Sequence, residues 1–99
     1  MAKYDVHRTG DNGLLVVDCQ SDLLGDLGTR FVVLLLPSDG VVRASARLNP
    51  VVQFEGQDYI VLPQGAATIE KSELGPSLGS LAEHDLTIGN ALDMLISGF

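Results

Sequence analysis

Short apolar stretches separated by turn-forming residues run through the first two-thirds of the chain, and this pattern predicts a series of β-strands. The predicted strands are residues 2–8, 14–19, 29–36, 50–54 and 57–62. Asn12–Gly13 and Glu55–Gly56 lie between consecutive strands and predict two antiparallel hairpins. Residues 66–70 also fit a strand, whereas residues 41–47 fit either a short strand or an irregular excursion.

The periodicity changes near the end of the chain, where an amphipathic helix is predicted after a linker over residues 71–79. Ser80 and Glu83 form a capping-box signature, which places the start of the helix at Ser80. One stripe of the helix is apolar and is predicted to face the core: Leu81, Ile88, Leu92, Leu95 and Ile96. The opposite side carries Leu86, Asn90, Asp93 and Ser97. Strands followed by one helix predict an α+β fold, a curled antiparallel sheet or small barrel with the helix packed against it.

Length and composition fit a single domain over residues 1–99 with an aliphatic core, since 45% of the residues are hydrophobic and none is Trp. The first residues lack the apolar segment of a signal peptide. The longest apolar run, Phe31–Leu36, is far shorter than a membrane span. We therefore expect a soluble cytoplasmic protein with no membrane partner.

The charge of the chain is strongly acidic, at −7. This argues against direct nucleic-acid binding, because affinity for phosphates depends on Lys and Arg, and the chain has only six of them with no three adjacent. The acidity favours a basic or cationic protein partner, and it equally fits a small protein that its charge keeps in solution.

The two histidines and the acidic residue beside one of them are predicted to be structural. His7 lies in an alternating strand and is expected on its solvent face, while His84 precedes Asp85 in the first turns of the helix. Adjacent helical residues point in different directions, so His84 and Asp85 do not converge on one target. Asp85 fits either a solvated rim position near the helix N-terminus or an ion pair with an arginine such as Arg30 or Arg43.

No constellation of residues predicts catalysis. Cys19 is the only cysteine and lies in an apolar strand, where a buried and unreactive thiol is expected. The scattered Asp, Glu and His residues do not have the spacing of a metal site, and the glycines do not form a phosphate-binding loop. We therefore expect a non-enzymatic protein without metal or cofactor.

Three stretches taken together resemble the CcdB toxin family, whose members act on bacterial DNA gyrase. The first is Asp18-x-Gln20-Ser21-Asp22 followed by Leu23-Leu24. The second is Leu48-x-Pro50-Val51-Val52, before a short hairpin. The third is Asn90-Ala91-Leu92-Asp93-Met94-Leu95, closing with Gly98 and Phe99. Their order and spacing match over nearly the whole chain.

The resemblance implies a small SH3-like barrel or sheet with a wing hairpin and a long C-terminal helix. It also implies a cytoplasmic homodimer that is the toxin of a toxin–antitoxin module. Such a toxin inserts into the gyrase A subunit dimer and traps the cleaved-DNA complex. A cognate antitoxin removes the toxin through a disordered C-terminal segment, and the complex of the two represses its own operon.

The resemblance also implies a gyrase-binding surface, carried over to Leu23, Leu24, Asp93, Ser97, Gly98 and Phe99. The family typically has Asn and Trp where this chain has Asp93 and Ser97. A buried Trp is the kind of anchor that dominates an interface, so weaker, altered or absent poisoning is expected, with Phe99 replacing part of the lost contact. Leu23 and Leu24 fit loop anchors or dimer packing as well as partner binding.

Three functions remain open at this point. The first is a CcdB-like toxin that binds gyrase and an antitoxin. The second is a divergent homologue that does not poison gyrase but dimerises and binds antitoxin for regulation, and the Ser at position 97 favours it. The third is an mRNA endonuclease, which would need a basic groove and a positioned acid or base, and the net charge of −7 counts against it.

Overall fold

Strands in one sheet and a C-terminal helix make up the computed structural model, which describes residues 1–10, 13–39 and 45–98. The strands are β1 (Asp5–Arg8), β2 (Leu15–Asp18), β3 (Thr29–Pro37), β4 (Val51–Phe54), β5 (Gln57–Glu70) and β6 (Gly79–Ser80). The described helices are α1 (Asp85–Ser97) and the 3₁₀ turns Asp22–Leu24, Lys71–Glu73 and Ala82–His84. Neighbouring strands are antiparallel in the order β4-β5-β3-β2-β1-β6, which confirms the α+β prediction.

The two predicted hairpin pairings are confirmed. β1 pairs with β2, with Val6 opposite Val17; Asn12 of the predicted turn lies outside the described residues. β4 pairs with β5 around Glu55 and Gly56, which have φ angles of 51° and 77°. Both angles lie in the left-handed region that tight hairpin turns need.

Strand β5 is longer than the sequence predicts, because residues 57–62 and 66–70 belong to one strand of 14 residues. Its pairing with β3 shifts register between Val32 and Leu34, and such an irregularity lets a long strand bend while it stays paired. Of the ambiguous segment 41–47, residues 41–44 lie outside the described part and residues 46 and 47 form part of a turn.

The sheet curls until its two outer strands approach each other. Gly79 lies in β6 and Phe54 in β4, yet a Cβ added to Gly79 would lie 2.8 Å from a ring carbon of Phe54. Gly79 has a φ of 154°, a backbone conformation that residues with a side chain rarely adopt. A glycine at position 79 therefore allows the two edges to meet.

The core has two parts, one on each face of the sheet, because successive residues of a strand point to opposite faces. The larger cluster joins the concave face to the start of the helical segment and includes Val6, Val17, Val33, Leu35, Val61, Leu81 and Ile88. The smaller cluster contains Val16, Val32 and Leu74, so residues around Leu74 cover the other face. Burial on both faces explains the nearly continuous apolar sequences of β2 and β3.

The helix begins later than the capping-box signature predicts. Ser80 ends β6, and α1 starts at Asp85 after a 3₁₀ turn. The Ser80 hydroxyl accepts a hydrogen bond from the backbone N–H of Ala82 at 3.1 Å. The predicted capping box would need this bond to come from the N–H of Glu83. Within the described part of the chain, no helix has the length and apolar character needed to span a bilayer.

The predicted core stripe of the helix is correct for its first turns and wrong for its last. Ile88 and Ala91 are fully buried, although Ala91 was not predicted in the stripe. Leu95 and Ile96, by contrast, are 44% and 75% exposed. The periodicity of the sequence continues after the contact with the sheet has ended, so the last turn presents apolar side chains to solvent.

Candidate binding surface

A loop rich in exposed leucines follows strand β2. Residues 21–28, here called the leucine loop, carry Leu23 with 94% of its surface exposed, Leu24 with 52% and Leu27 with 49%. Leu23 and Leu24 are predicted site residues, whereas Leu27 was not identified from the sequence. Large apolar side chains so exposed on one loop form a candidate contact surface for another macromolecule.

The side chain of Gln20 fixes the leucine loop from beneath. Its Nε2 donates a hydrogen bond to the carbonyl of Leu24 at 2.9 Å, and its Oε1 accepts one from the N–H of Phe31 at 3.0 Å. The hydroxyl of Ser21 accepts from the N–H of Leu23 at 3.2 Å and caps the 3₁₀ turn. The leucines therefore lie on a turn whose backbone is held by its neighbours in sequence.

Two lysines from distant parts of the chain hold the same loop. The backbone N–H of Lys3 donates to Oδ1 of Asp22 at 2.8 Å. Lys71 donates twice, through its backbone N–H to the carbonyl of Gly28 at 3.0 Å and through its ammonium group to the carbonyl of Gly25. The geometry of the loop is thus set before any partner arrives, which lowers the entropic cost of binding.

A buried ion pair lies at the base of the leucine loop. Nε of Arg30 donates to Oδ2 of Asp18 at 2.7 Å, and both side chains are at most 1% exposed. Nη2 of Arg30 is 2.6 Å from the same oxygen but makes no aligned hydrogen bond in the described residues. Oδ1 of Asp18 accepts from the N–H of Gln20 at 3.0 Å, which connects the ion pair to the residue that fixes the loop.

Within the described residues, Asp85 pairs with a tyrosine and not with Arg30. Asp85 is exposed at the start of α1, as the rim interpretation predicts, and it accepts a hydrogen bond from the hydroxyl of Tyr4. Arg30 pairs with Asp18 instead, and Arg43 lies outside the described residues. Burial, and then the hydrogen bond and charge of Asp85, raise the pKa of the Tyr4 hydroxyl, so Tyr4 stays a donor that ties the N-terminus to the helix.

The end of the helix provides the second group of predicted site residues. Asp93, Ser97 and Gly98 are exposed, and Phe99 lies outside the described residues. The N–H of Gly98 donates to the carbonyl of Met94 at 2.9 Å, in a left-handed C-cap with φ 78°. Leu86 and Asn90 are also exposed, which confirms the predicted outward row.

The structure therefore brings the predicted site residues together in two groups. Leu23 and Leu24 share the leucine loop, while Asp93, Ser97 and Gly98 share the end of α1. No hydrogen bond joins the two groups within residues 1–10, 13–39 and 45–98. Leu95 and Ile96, which were predicted to face the core, are exposed in the same last turn of α1 but on another side of the helix from Ser97.

The prediction that His7 faces solvent is wrong. His7 is 1% exposed, and its Nδ1 lies 2.8 Å from the carbonyl oxygen of Gly75, to which it donates. Strand β1 lies inside the sheet between β2 and β6, and the segment around Gly75 covers the face that was expected to be open. His84 lies apart, 3.8 Å from the carboxylate of Glu83. Among the described residues, no three His, Cys, Asp or Glu side chains group as metal ligands.

Cys19 is buried, as predicted. We expect iodoacetamide near pH 8 to alkylate it about a thousandfold more slowly in the native protein than in protein unfolded by urea. Burial, and then the charge of Asp18, raise the pKa of its thiol from 9.0 to about 12, so little reactive thiolate exists in the native state. Modification is followed by mass spectrometry over time. Equal rates for native and unfolded protein would contradict this environment.

Comparison with known proteins finds one family model and several solved structures of the same fold. The family model described as CcdB protein matches residues 3–98. No curated protein matches the sequence. Among solved structures, an endoribonuclease in complex with its cognate antitoxin from Mycobacterial species has a TM-score of 0.80 at 18% identity, covering 97% of this chain and 94% of that one.

Two further solved structures are similar in fold. The Mycobacterium tuberculosis toxin MazF-mt6 has a TM-score of 0.77 at 19% identity, covering 93% of this chain and 95% of that one. An endoribonuclease from Mycobacterial species has a TM-score of 0.78 at 19% identity, covering 97% of this chain and 90% of that one. At such low identity the likeness establishes a common fold, and activity has to be argued from the site.

Proposed function

The chain belongs to the CcdB toxin family, and on this basis we propose that it is a toxin that binds the gyrase A subunit and traps the cleaved-DNA complex. A cognate antitoxin neutralises it, and the complex of the two regulates its operon. The toxin acts in the cytoplasm as a homodimer of single-domain subunits, without enzymatic activity, cofactor or direct nucleic-acid binding of its own. The match of the family model to residues 3–98 is the observation that carries this proposal.

The exposed surface supports binding as the mode of action. Leu23 and Leu24 lie on a loop whose backbone is already fixed, and Asp93, Ser97 and Gly98 are exposed at the end of a capped helix. Rigid elements that present apolar side chains bind with little loss of conformational entropy.

The position of Ser97 determines how strongly the chain is expected to act. A serine buries much less apolar area than the Trp usual in the family, and Asp93 adds a charge that must be desolvated in the complex. Leu95 and Ile96 are exposed in the same last turn but point to other sides of the helix than Ser97, so they do not replace the missing aromatic ring. We expect weak poisoning, visible at high toxin concentration.

Ser97→Trp is expected to increase poisoning about tenfold, because it returns an aromatic anchor to the interface. The measurement is a cleavage assay with gyrase from the source organism, supercoiled DNA and ATP, in which linear DNA attached to gyrase is quantified against toxin concentration. Ser72→Trp is the matched control, since Ser72 is an exposed serine outside both groups of site residues. The control is expected to leave cleavage unchanged.

Absence of cleaved DNA with both the native chain and Ser97→Trp would overturn gyrase poisoning. The remaining function would then be the divergent homologue that dimerises and binds antitoxin. Tight binding of the antitoxin encoded beside the gene, measured by calorimetry on the same samples, would identify that function. An equal gain from Ser72→Trp would show instead that added aromatic surface acts without using the proposed site.

An mRNA endonuclease is the second candidate, because the chain has the fold of the endoribonuclease structures. Of the described side chains, His7 is buried against Gly75 and Arg30 is paired with Asp18, so neither can act on RNA. Arg8, Arg47 and His84 are accessible but lie on separate elements, whereas general acid–base cleavage of RNA needs groups positioned together. Incubation with total cellular RNA tests the activity, and new discrete fragments that persist after further purification would establish it.

A further inference from the structure

An open cleft separates helix α1 from the segment that precedes strand β4. Its volume is about 220 Å³, and it is lined by Ala46, Arg47, Pro50, Thr87 and Asn90. Thr87 and Asn90 are three residues apart and therefore lie on the same side of the helix. The cleft thus places a guanidinium, a hydroxyl and an amide around a volume suited to a small polar group.

The wall opposite the helix is held in place by Asn49. This side chain is 1% exposed and donates to the carbonyl of Val61 at 3.2 Å and to Oε1 of Gln64 at 2.9 Å. The hydroxyl of Ser45 accepts from the N–H of Leu48 at 3.0 Å, so the backbone around Arg47 forms a closed turn. The wall that carries Arg47 is therefore formed before a ligand enters.

Arg47 differs from the other basic side chains that the structure describes. Lys3 lies 5.0 Å from the ring centroid of Tyr4, and Arg8 donates to the carbonyl of Gly13 at 2.8 Å. Arg30 is paired with Asp18, and Lys71 donates to the carbonyl of Gly25. Within residues 1–10, 13–39 and 45–98, Arg47 is the basic side chain without a hydrogen bond, ion pair or ring contact.

We propose that this cleft binds a single carboxylate group presented by a peptide partner. The guanidinium of Arg47 offers parallel donors that match the two oxygens of a carboxylate, and the amide of Asn90 and the hydroxyl of Thr87 can donate to the same group. Ala46 and Pro50 supply apolar contact for the carbon atoms next to it. The carboxylate comes from a chain terminus or from an Asp or Glu side chain.

The charges of the molecule favour a carboxylate over nucleic-acid phosphates. Phosphate backbones are bound by several cations in a row, whereas Arg47 is the one basic residue among those that line the cleft, in a chain of net charge −7. One carboxylate on an otherwise neutral or basic peptide needs only one cation and meets little repulsion. The assignment goes beyond gyrase binding and is tested without gyrase.

The test is a titration of isotope-labelled protein with small probes at constant ionic strength, followed by NMR. N-acetylglycine supplies a terminal carboxylate, N-acetylaspartic acid α-amide supplies a side-chain carboxylate, and N-acetylglycinamide is the neutral control. We expect both carboxylates to shift the Nε–H signal of Arg47 and the side-chain amide of Asn90, and the neutral probe to leave them unchanged. The carboxylate probe with the lower dissociation constant shows whether the partner presents a chain terminus or a side-chain carboxylate.

Arg47→Gln is expected to weaken carboxylate binding about tenfold, because it removes hydrogen bonds to a charged group. Arg47 is exposed, and the variant should melt at the native temperature. Arg8→Gln is the matched control at another exposed arginine and should bind as the native chain does. The assignment is overturned if neither carboxylate shifts these signals, if the neutral probe shifts them equally, if Arg47→Gln binds normally, or if inorganic phosphate binds more tightly than both carboxylates.

Discussion

Arg30→Met is expected to lower the free energy of unfolding by about 3–5 kcal/mol, because it removes one partner of a buried ion pair. Arg30 and Asp18 are at most 1% exposed, and Nε of Arg30 donates to the carboxylate at 2.7 Å. Without the guanidinium, the charge of Asp18 stays buried and uncompensated. The measurement is urea unfolding monitored by circular dichroism, with the midpoint and the slope fitted separately.

Two further variants test whether the loss of stability comes from the broken ion pair. Arg8→Met removes an exposed arginine and is expected to cost at most about 0.5 kcal/mol. The double variant Asp18→Asn, Arg30→Met leaves no buried charge and should be more stable than Arg30→Met alone, although Asp18 also accepts from Gln20. If the double variant is less stable than the single one, an uncompensated charge is not the cause of the loss.

Gly79→Ala is expected to lower the free energy of unfolding by about 2–4 kcal/mol, from overpacking and backbone strain together. The added Cβ would lie 2.8 Å from a ring carbon of Phe54, closer than such atoms approach in folded proteins. The φ of 154° at position 79 is also unfavourable for alanine. The same unfolding measurement gives the loss, since both variants should denature in one cooperative transition.

Gly28→Ala is the matched control for this substitution, because a Cβ at Gly28 meets no atom within 4 Å. It should be neutral or slightly stabilising, since alanine has less freedom than glycine in the unfolded chain. Phe54→Leu in the background of Gly79→Ala should restore part of the stability by making room. If Gly79→Ala unfolds at the same urea concentration as Gly28→Ala, the two edges of the sheet do not meet as described.

Local sequence patterns predict which strands pair more reliably than they predict whether an individual side chain is buried or exposed. Glu55–Gly56 marked a hairpin because its turn needs left-handed backbone, a property that the residue types reveal. His7 was misassigned because alternation indicates two faces of a strand and not which face is covered. Its cover comes from the segment around Gly75, far away in sequence.

The last turn of the helix shows the same limit. The spacing of Leu95 and Ile96 fits a core stripe, but the sheet ends before they reach it. Periodicity specifies the direction of a side chain on its helix, whereas the extent of the packed partner is a property of the whole fold.

The candidate surfaces were predictable only where residues lie close in sequence. Leu23 and Leu24 follow from a family resemblance; the structure shows that they are exposed, and their contact role stays a prediction. The cleft joins Arg47 to Asn90, two residues from separate elements, and no spacing rule connects them. The ion pair of Asp18 with Arg30 escapes prediction for the same reason, because it joins two neighbouring strands that no spacing rule connects.

The leucine loop is held by Lys3 near the start of the chain and by Lys71 far downstream, so its geometry is completed late in synthesis. Gln20 emerges from the ribosome together with the leucines, but Lys71 follows much later. A nascent chain that ends before Lys71 carries the leucines without the hydrogen bonds to Gly25 and Gly28 that fix them. Chains that terminate before Lys71 are therefore expected to lack the fixed loop geometry on which the proposed binding depends.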